Sequence, residues 1–292
     1  MLFSITKKIL PLMVLVALSA CSSLAKPPKA TINTEVINSA KIINTHNGKL
    51  LTADALLTEL ANQSRVIIGE KHDNTYHHDI ELWLMTQLAQ KRQQGAVLLE
   101  MLTPSQQILV DNIKKRYSAD HYLRDERLMA ALKWNTGWRW EWYGNIVKEG
   151  LSADYPLLAA NIDQEAISQA YKNPPVIEGQ YSTAPLVRQL IQETIQVSHG
   201  NTLEKTQYEK MMLIQQLRDR TMAERLLAAP PPALLIAGSF HATKVMGVPL
   251  HIADLAPNEK ITVVIMAEEG SDITSAHADY LWITPAAFTQ SR

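Results

Sequence analysis

The sequence has very little cysteine, since Cys21 is the single one in 292 residues. One cysteine cannot form an intramolecular disulfide or a cysteine-ligated zinc site, so metal chemistry must rely on histidine, carboxylate or tyrosine ligands. An excess of charge of one sign is also missing, because 28 basic residues nearly balance 29 acidic ones. This balance argues against a nucleic-acid-binding protein, because non-specific affinity for phosphates needs a basic surface.

The sequence also lacks an apolar run long enough to span a membrane. The apolar stretch at residues 9–20 has only twelve residues, whereas a transmembrane helix needs about 20. Lys7 and Lys8 come shortly before it, and a short basic region followed by a short apolar run is typical of a signal peptide. We therefore expect residues 1–20 to be a signal peptide that is removed.

The end of this stretch points to a lipid anchor. The sequence LSAC at residues 18–21 resembles the bacterial lipobox, in which cleavage before the cysteine is followed by acylation. An ordinary signal peptide with an incidental cysteine is the alternative. Because Ser22 rather than an aspartate follows Cys21, we expect an outer-membrane lipoprotein, on either the periplasmic or the surface side. Residues 21–48 are polar and contain adjacent prolines, which predicts an anchor and tether ahead of a folded domain at 49–292.

Apolar segments alternate with helical patterns along the folded domain. Continuous apolar strands, rather than alternating ones, are typical of a parallel sheet covered on both faces. The predicted strands are residues 65–69, 96–100, 156–160, 233–238, 261–267 and 280–284. The sequence therefore predicts an α/β fold, in which a parallel β-sheet is flanked by helices and a smaller helical subdomain is inserted at about residues 103–228. A cleft is expected between the two parts.

Ionisable side chains are concentrated where the predicted strands end. Glu70 and His72 follow the first strand, Glu100 ends the second, and His241 follows a later one. Open α/β sheets bind ligands at this edge, so these residues are candidates for one shared site. Together with His78 they could hold a divalent metal that activates water, or provide general acid–base chemistry without metal. A hydrolase is therefore one hypothesis, although no rigid ligand motif such as HExxH specifies it.

A second pattern lies in the predicted helix at 203–228. By their spacing, one face of this helix carries Tyr208, Met211, Met212, Gln215, Asp219 and Met222. Such stripes usually belong to the core. A phenol beside soft apolar side chains is also the environment that a porphyrin requires, because it offers an iron ligand and flat apolar walls. No CxxCH motif is present, so any haem would be exchangeable.

Four segments of the sequence resemble the ChaN family of iron-regulated haem-binding lipoproteins, within the Tiki and erythromycin-esterase-like superfamily. The segments are VIIGEKHDNTYHHDIEL, AVLLEML, LRDRTMAERL and LLIAGSFHATKVMGVPLHI. The resemblance covers about residues 50–256 and implies a protein of haem and iron uptake that forms a homodimer on haem binding. In that family the dimer encloses two cofacial haems. A TonB-dependent outer-membrane haem receptor is a candidate partner.

The resemblance also implies residues that bind the haem propionates. In the family, a histidine and a lysine of the other subunit bind these groups. His241 and Lys244, in the run GSFHATK, are the matching pair, and His251 is a substitute. If these residues open a helix, both can reach carboxylates and the helix N-terminus adds a favourable dipole.

The iron ligand implied by the resemblance is a tyrosine, but no short motif fixes which one. Tyr143, in WEWYGNIV, ranks first as the ligand of the haem iron, Tyr208 second, and Tyr76 third. A phenolate is a hard anionic donor that favours ferric iron, which suits the capture of oxidised haem. Because the Glu70, His72, His78 and Glu100 framework is also present, the hydrolase hypothesis stays open beside the haem one.

Overall fold

A computed structural model describes residues 32–117 and 122–286, so the predicted signal peptide and Cys21 lie outside the described residues. The strands of the described part form one eight-stranded sheet in the order β2-β1-β8-β7-β3-β6-β4-β5. They are β1 (Lys41–Asn44), β2 (Leu50–Leu51), β3 (Arg65–Glu70), β4 (Ala96–Leu99), β5 (Leu157–Ala159), β6 (Ala233–Gly238), β7 (Thr262–Glu268) and β8 (Tyr280–Thr284).

The sheet has a parallel core and an antiparallel edge. Strands β3 to β8 pair in parallel, with β3 between β6 and β7. Strand β1 pairs antiparallel with both β8 and β2. Every residue of β3, β4 and β6 is buried, as expected for strands covered on both faces. The predicted α/β class with a parallel sheet is therefore confirmed.

Helices cover the two faces of the sheet. In the described ranges they are α1 (Thr34–Asn38), α2 (Ala53–Ala61), α3 (Thr75–Lys91), α4 (Pro104–Lys114), α5 (Asp125–Leu132), α6 (Trp140–Ser152), α7 (Gln164–Lys172), α8 (Pro185–Ser198), α9 (Lys205–Ala228), α10 (Ser239–Ala242) and α11 (Val248–Leu255). Alternate residues of β3 belong to different apolar clusters: Val66 and Ile68 pack with α2 to α6, whereas Ile67 packs with α9 and α11. None of these helices has the length and apolarity to cross a membrane.

Local sequence signals set the starts of the helices that follow the first strands. The Thr52 side chain accepts a hydrogen bond from the Ala55 main-chain nitrogen at 3.2 Å and caps α2. The Asn74 side chain accepts one from the Tyr76 nitrogen at 3.1 Å and caps α3. Because α3 begins so soon after β3, the residues between them are held at the edge of the sheet.

The segment before residue 49 differs from the predicted tether. Residues 34–38 form α1, and 41–44 form a strand whose main chain pairs with β8. Ile42 is fully buried in the larger apolar cluster. Strand pairing uses main-chain groups, so a segment that is polar and asparagine-rich over most of its length can still contribute a strand to the antiparallel side of the sheet.

Candidate functional site

A cavity of about 730 Å³ opens where β3, β4 and β6 end. Its floor is polar and is formed by Glu70, His72, Glu100 and His241. Trp138, between α5 and α6, and Gln215 and Arg218 of α9 also line it. Its other walls are mainly apolar and include Phe240, Ile265, Met266, Ala267 and Ile273. The structure thus brings together four residues that the sequence placed at separate strand ends.

Glu70 is the centre of the first half of the floor. It is the last residue of β3 and is 1% exposed. Its Oε1 accepts a hydrogen bond from the Tyr143 hydroxyl at 2.8 Å and one from Nδ1 of His72. Burial alone would lower the pKa of His72, but the carboxylates of Glu70 and Glu100 outweigh burial and raise it. His72 is therefore held as a proton donor to Glu70.

His241 is the centre of the second half of the floor. Its Nδ1 donates to Oδ1 of Asp219 at 2.6 Å, and its Nε2 lies 3.4 Å from Oε1 of Glu100. The Gly238 main-chain nitrogen donates to Oε2 of Glu100 at 2.8 Å. Burial alone would lower the pKa of His241, but Glu100 and Asp219 outweigh it and raise the pKa to about 10. His241 is thus a buried cation between two carboxylates.

Glu100 and Asp219 respond differently to this shared cation. Burial would raise the pKa of Glu100, but His241, His72 and the Gly238 nitrogen outweigh it and lower the pKa to about 2. For Asp219, burial outweighs the pairing with His241 and raises the pKa to about 6. Glu100 is therefore the more firmly ionised of the two partners.

We predict that the stabilisation from the charged form of His241 is lost at alkaline pH. Its pKa in the fold is about 10, above the ordinary value of 6.5. The contribution is therefore complete below about pH 6.5 and disappears as the pH rises through about 10. Urea unfolding of the wild type and of His241→Gln should show a difference in free energy that shrinks as the pH rises. A constant difference would mean that His241 is neutral in the fold.

Gly238 is required for the close approach of the two halves of the floor. A Cβ atom at this position would lie 2.8 Å from Cε1 of His72. Any side chain there would displace the imidazole. In addition, the Ser239 hydroxyl donates to the main-chain oxygen of Glu70 at 3.0 Å and ties the end of β6 to the end of β3.

The remaining basic residues named from the sequence lie away from the floor. Lys244 follows α10 and pairs with Asp279, and it is outside the residues that line the cavity. His251 is buried in α11, where its Nδ1 accepts from Nε of Arg220 at 3.1 Å. Helix α10 has only four residues, so His241 and Lys244 do not share its first turn as the sequence suggested.

The candidate tyrosines differ in their access to the cavity. Tyr143 is fully buried, and its ring lies edge-on to those of Trp138 and His78. Burial and the neighbouring Glu70 raise the pKa of Tyr143 far above its ordinary value. Tyr208 is half-buried on α9. Tyr76, in the first turn of α3, is half-buried against the apolar core.

A smaller cavity of about 350 Å³ adjoins the first and shares Gln215, Arg218 and Phe240 with it. Tyr171, which is 43% exposed, lines this second cavity. Met211 lines it as well, one helical turn after Tyr208. Among the tyrosines of the described part, Tyr171 is the one that lines this second cavity.

Sequence reasoning did not assign two acidic residues to the site: Asp219, which it placed only on the methionine-containing face of the predicted helix, and Glu81. Both are fully buried and lie on helix faces whose other residues are mostly apolar. An acidic residue on an otherwise apolar face is the signal that could have identified them, because a buried carboxylate requires a partner. Asp219 pairs with His241, and Oε2 of Glu81 pairs with Nδ1 of His78 at 3.1 Å.

The arrangement combines two kinds of chemistry in one space. The polar floor offers carboxylates and imidazoles at hydrogen-bonding distances, which is what proton transfer requires. The walls and the adjoining cavity offer apolar side chains and accessible phenols, which suit a large flat ligand. The geometry by itself is compatible with either use.

The chain was compared with known protein families and solved structures, and the family model that matches is one of haem-binding proteins. A family model described as haem-binding uptake, Tiki superfamily, ChaN matches residues 56–252. A solved structure of cofacial haem binding to ChaN of Campylobacter jejuni is 29% identical, with a TM-score of 0.76 over 84% of this chain and 96% of that one.

Two other solved structures have lower sequence identity and lower TM-scores. The type III effector HopBA1 is 11% identical with a TM-score of 0.45, covering 80% of this chain and 92% of its own. A mutant of the erythromycin esterase EreC in its open conformation is 14% identical with a TM-score of 0.44, and the match covers 85% of this chain and 83% of that one. No curated protein sequence matches the chain.

Proposed function

Because this chain belongs to the ChaN family of haem-binding proteins in the Tiki superfamily, we propose that it captures ferric haem in the cavity at the strand ends and serves haem uptake. The observation that carries the proposal is the family match over residues 56–252, together with the cofacial haem structure of the Campylobacter jejuni relative. The cavity supports it independently, because haem needs apolar walls, a ligand for iron and cations for its propionates.

The described residues meet these three needs in and around the two connected cavities. Phe240 lies at their junction and is 54% exposed, so it offers an aromatic face to a porphyrin. Arg218 lines both cavities, and its Nε has no hydrogen-bond partner among the described residues. A guanidinium in this position suits a propionate. His241 and Lys244 remain the pair that we propose for the propionates across a dimer, although each is engaged by carboxylates of its own chain.

We propose that a tyrosine phenolate binds the iron. Tyr143 would have to leave Glu70 and a fully buried position to do so. Tyr171 lines the second cavity and Tyr208 is half-buried on α9, so neither would have to leave a fully buried position. The geometry therefore favours these two over Tyr143, which ranks first on sequence alone.

Tyrosine-to-phenylalanine variants test the assignment. We expect Tyr171→Phe or Tyr208→Phe to abolish the absorption bands of a tyrosinate-bound ferric haem, because phenylalanine cannot ligate iron. Tyr143→Phe is the matched control and should keep these bands. The measurement is a ferric haem titration followed by absorption spectroscopy. Loss of the bands in Tyr143→Phe alone would contradict the assignment and restore the ranking from sequence.

We also propose that haem binding and dimer formation are linked. A single phenolate ligand leaves one face of the haem free, and stacking two such faces removes a large apolar area from water. A ligand that binds the dimer preferentially must favour it by mass action. Sedimentation of the purified protein should therefore show mainly monomer without haem and dimer with it. An unchanged mass would refute the link.

The location that we propose is the outer membrane, with Cys21 as the lipid anchor. The support is the basic and apolar pattern of residues 1–20 and the lipobox-like end. Changing Cys21 to serine should move the protein from the membrane fraction to the soluble one. Cross-linking in membranes would show whether a TonB-dependent haem receptor is the neighbour.

A hydrolase is the second candidate function. The observation that favours it is the charged floor, where Asp219, His241 and Glu100 form one hydrogen-bonded series and Glu70 pairs with His72. Such a series can hold and move protons near a bound substrate. Turnover of esters or peptides that is lost in His72→Ala would support this function. If the protein turned over none of a broad panel of such substrates, the hydrolase proposal would be contradicted.

A further inference from the structure

A second group of ionisable side chains lies next to Glu70. Glu70 Oε1 is occupied by His72 and Tyr143, whereas Oε2 has no hydrogen-bond partner among the described residues. His78 and Glu81 lie one turn apart on the buried side of α3. One donor atom from each of Glu70, His78 and Glu81 lies within 4.8 Å of the other two. We call these three residues the α3 cluster.

The α3 cluster is closed to solvent and incompletely paired. Glu70, His78 and Glu81 are 1%, 6% and 0% exposed. Besides Oε2 of Glu70, Oε1 of Glu81 also lacks a hydrogen-bond partner among the described residues. Glu70 pairs with His72 and Tyr143 through Oε1, and Glu81 pairs with His78 through Oε2, so each carboxylate keeps one oxygen without a donor. Buried carboxylate oxygens are costly unless a hydrogen-bond donor or a cation reaches them.

His78 is oriented as metal-binding histidines are. Its Nε2 lies 3.0 Å from the main-chain oxygen of His72 and donates to it. A hydrogen bond from one ring nitrogen to a main-chain oxygen fixes the ring and directs the other nitrogen, the arrangement usual behind a metal ligand. The other nitrogen, Nδ1, faces Glu81 Oε2 at 3.1 Å. Two acceptors can face each other at this distance only when a proton or a metal ion lies between them.

We propose that Glu70, His78 and Glu81 bind one divalent transition-metal ion, with Zn²⁺ and Mn²⁺ as the candidates. Two carboxylates and one imidazole form a ligand set that these ions accept. Because the cluster is buried, the ion would be structural and exchange slowly. The proposal does not depend on haem binding. It also differs from a metal held on the cavity floor, because His72, Glu100 and His241 are not among its ligands.

Metal analysis of the full-length protein, purified without haem, tests this proposal. The protein is stripped with a chelator, incubated with Zn²⁺ or Mn²⁺, freed of excess ion and analysed by mass spectrometry for bound metal. We expect about one ion per chain and a higher melting temperature with metal than without it. Glu81→Gln, which keeps the shape of the side chain, should lower the bound metal at least about tenfold.

Two control variants locate the ion. Asp79→Asn removes a half-buried carboxylate from the same helix and should bind as much metal as the wild type. Glu100→Gln removes a carboxylate of the cavity floor and should also keep the metal. Retention of metal by Glu81→Gln, or its loss in Glu100→Gln, would overturn the assignment to the α3 cluster.

The wild type alone can also decide the question if Glu81→Gln does not fold. X-ray absorption of the Zn²⁺-loaded wild type should show nitrogen and oxygen ligands that include one imidazole. Wild-type protein that holds no ion after this treatment would overturn the proposal, and water or protons would then fill the α3 cluster.

Discussion

Replacing Asp219 by alanine is expected to lower the free energy of unfolding by about 3–5 kcal/mol. Asp219 is fully buried and accepts a hydrogen bond from His241 at 2.6 Å. Its removal leaves the buried, charged imidazole of His241 with Glu100 as its one carboxylate partner at 3.4 Å. The measurement is urea unfolding near neutral pH, extrapolated to water.

The matched control is Asp125→Ala on the protein surface. Asp125 pairs with Lys148 at 3.1 Å, but its side chain is 47% exposed. Exposed ion pairs contribute about 0–1 kcal/mol, so this variant should be nearly as stable as the wild type. If Asp219→Ala lost no more stability than Asp125→Ala, His241 would not be held as a cation between two carboxylates.

Replacing Ala267 by tryptophan is expected to weaken haem binding at least about 100-fold, which corresponds to about 2.8 kcal/mol. Ala267 lies on β7 and lines the larger cavity with Met266 and Ile265. An indole ring at this position would occupy the space that we propose for the porphyrin. The measurement is a ferric haem titration, and unfolding in urea shows whether the variant is folded.

Ala130→Trp is the control for the added ring. Ala130 is exposed on α5 and is absent from the residues that line the two connected cavities. This variant should bind haem as the wild type does. If Ala267→Trp also bound haem with unchanged affinity, the haem would lie elsewhere on the protein.

The parallel core of the sheet could be predicted because its strands can be recognised from their sequences alone. Segments such as RVIIG and ALLIAG are continuously apolar, and strands buried on both faces require this. Glu70 and Glu100 could be assigned to one edge of the sheet for the same reason, since the carboxyl ends of parallel strands lie together. Strand β1, which lies between β2 and β8, could not be predicted, because its pairing with β8 depends on main-chain groups rather than on a side-chain pattern.

The partners within the site were harder to predict than its location. Asp219 and His241 are 22 residues apart, and only the packing of α9 against the sheet brings them within 2.6 Å. In the same way, the sequence gives no sign that the Tyr143 hydroxyl bonds to Glu70. The resemblance indicates that a tyrosine is needed, but burial and access decide which tyrosine is available, and both are tertiary properties.

Glu70 connects the two sites that we propose. Its Oε1 accepts from His72 on the cavity floor, and its carboxylate is also part of the α3 cluster. A metal ion in the α3 cluster would fix the Glu70 carboxylate and, through it, His72. Loading the α3 cluster with metal should therefore stiffen the cavity floor without taking a coordination position from the haem iron.

Titration of the purified protein with ferric haem tests the proposed function most directly. We expect saturable binding, with the absorption bands of a five-coordinate, tyrosinate-bound ferric iron and about one haem per chain. A spectrum that remains the sum of free haem and protein at every ratio would contradict haem capture, and the charged floor would then be better explained as a hydrolytic site.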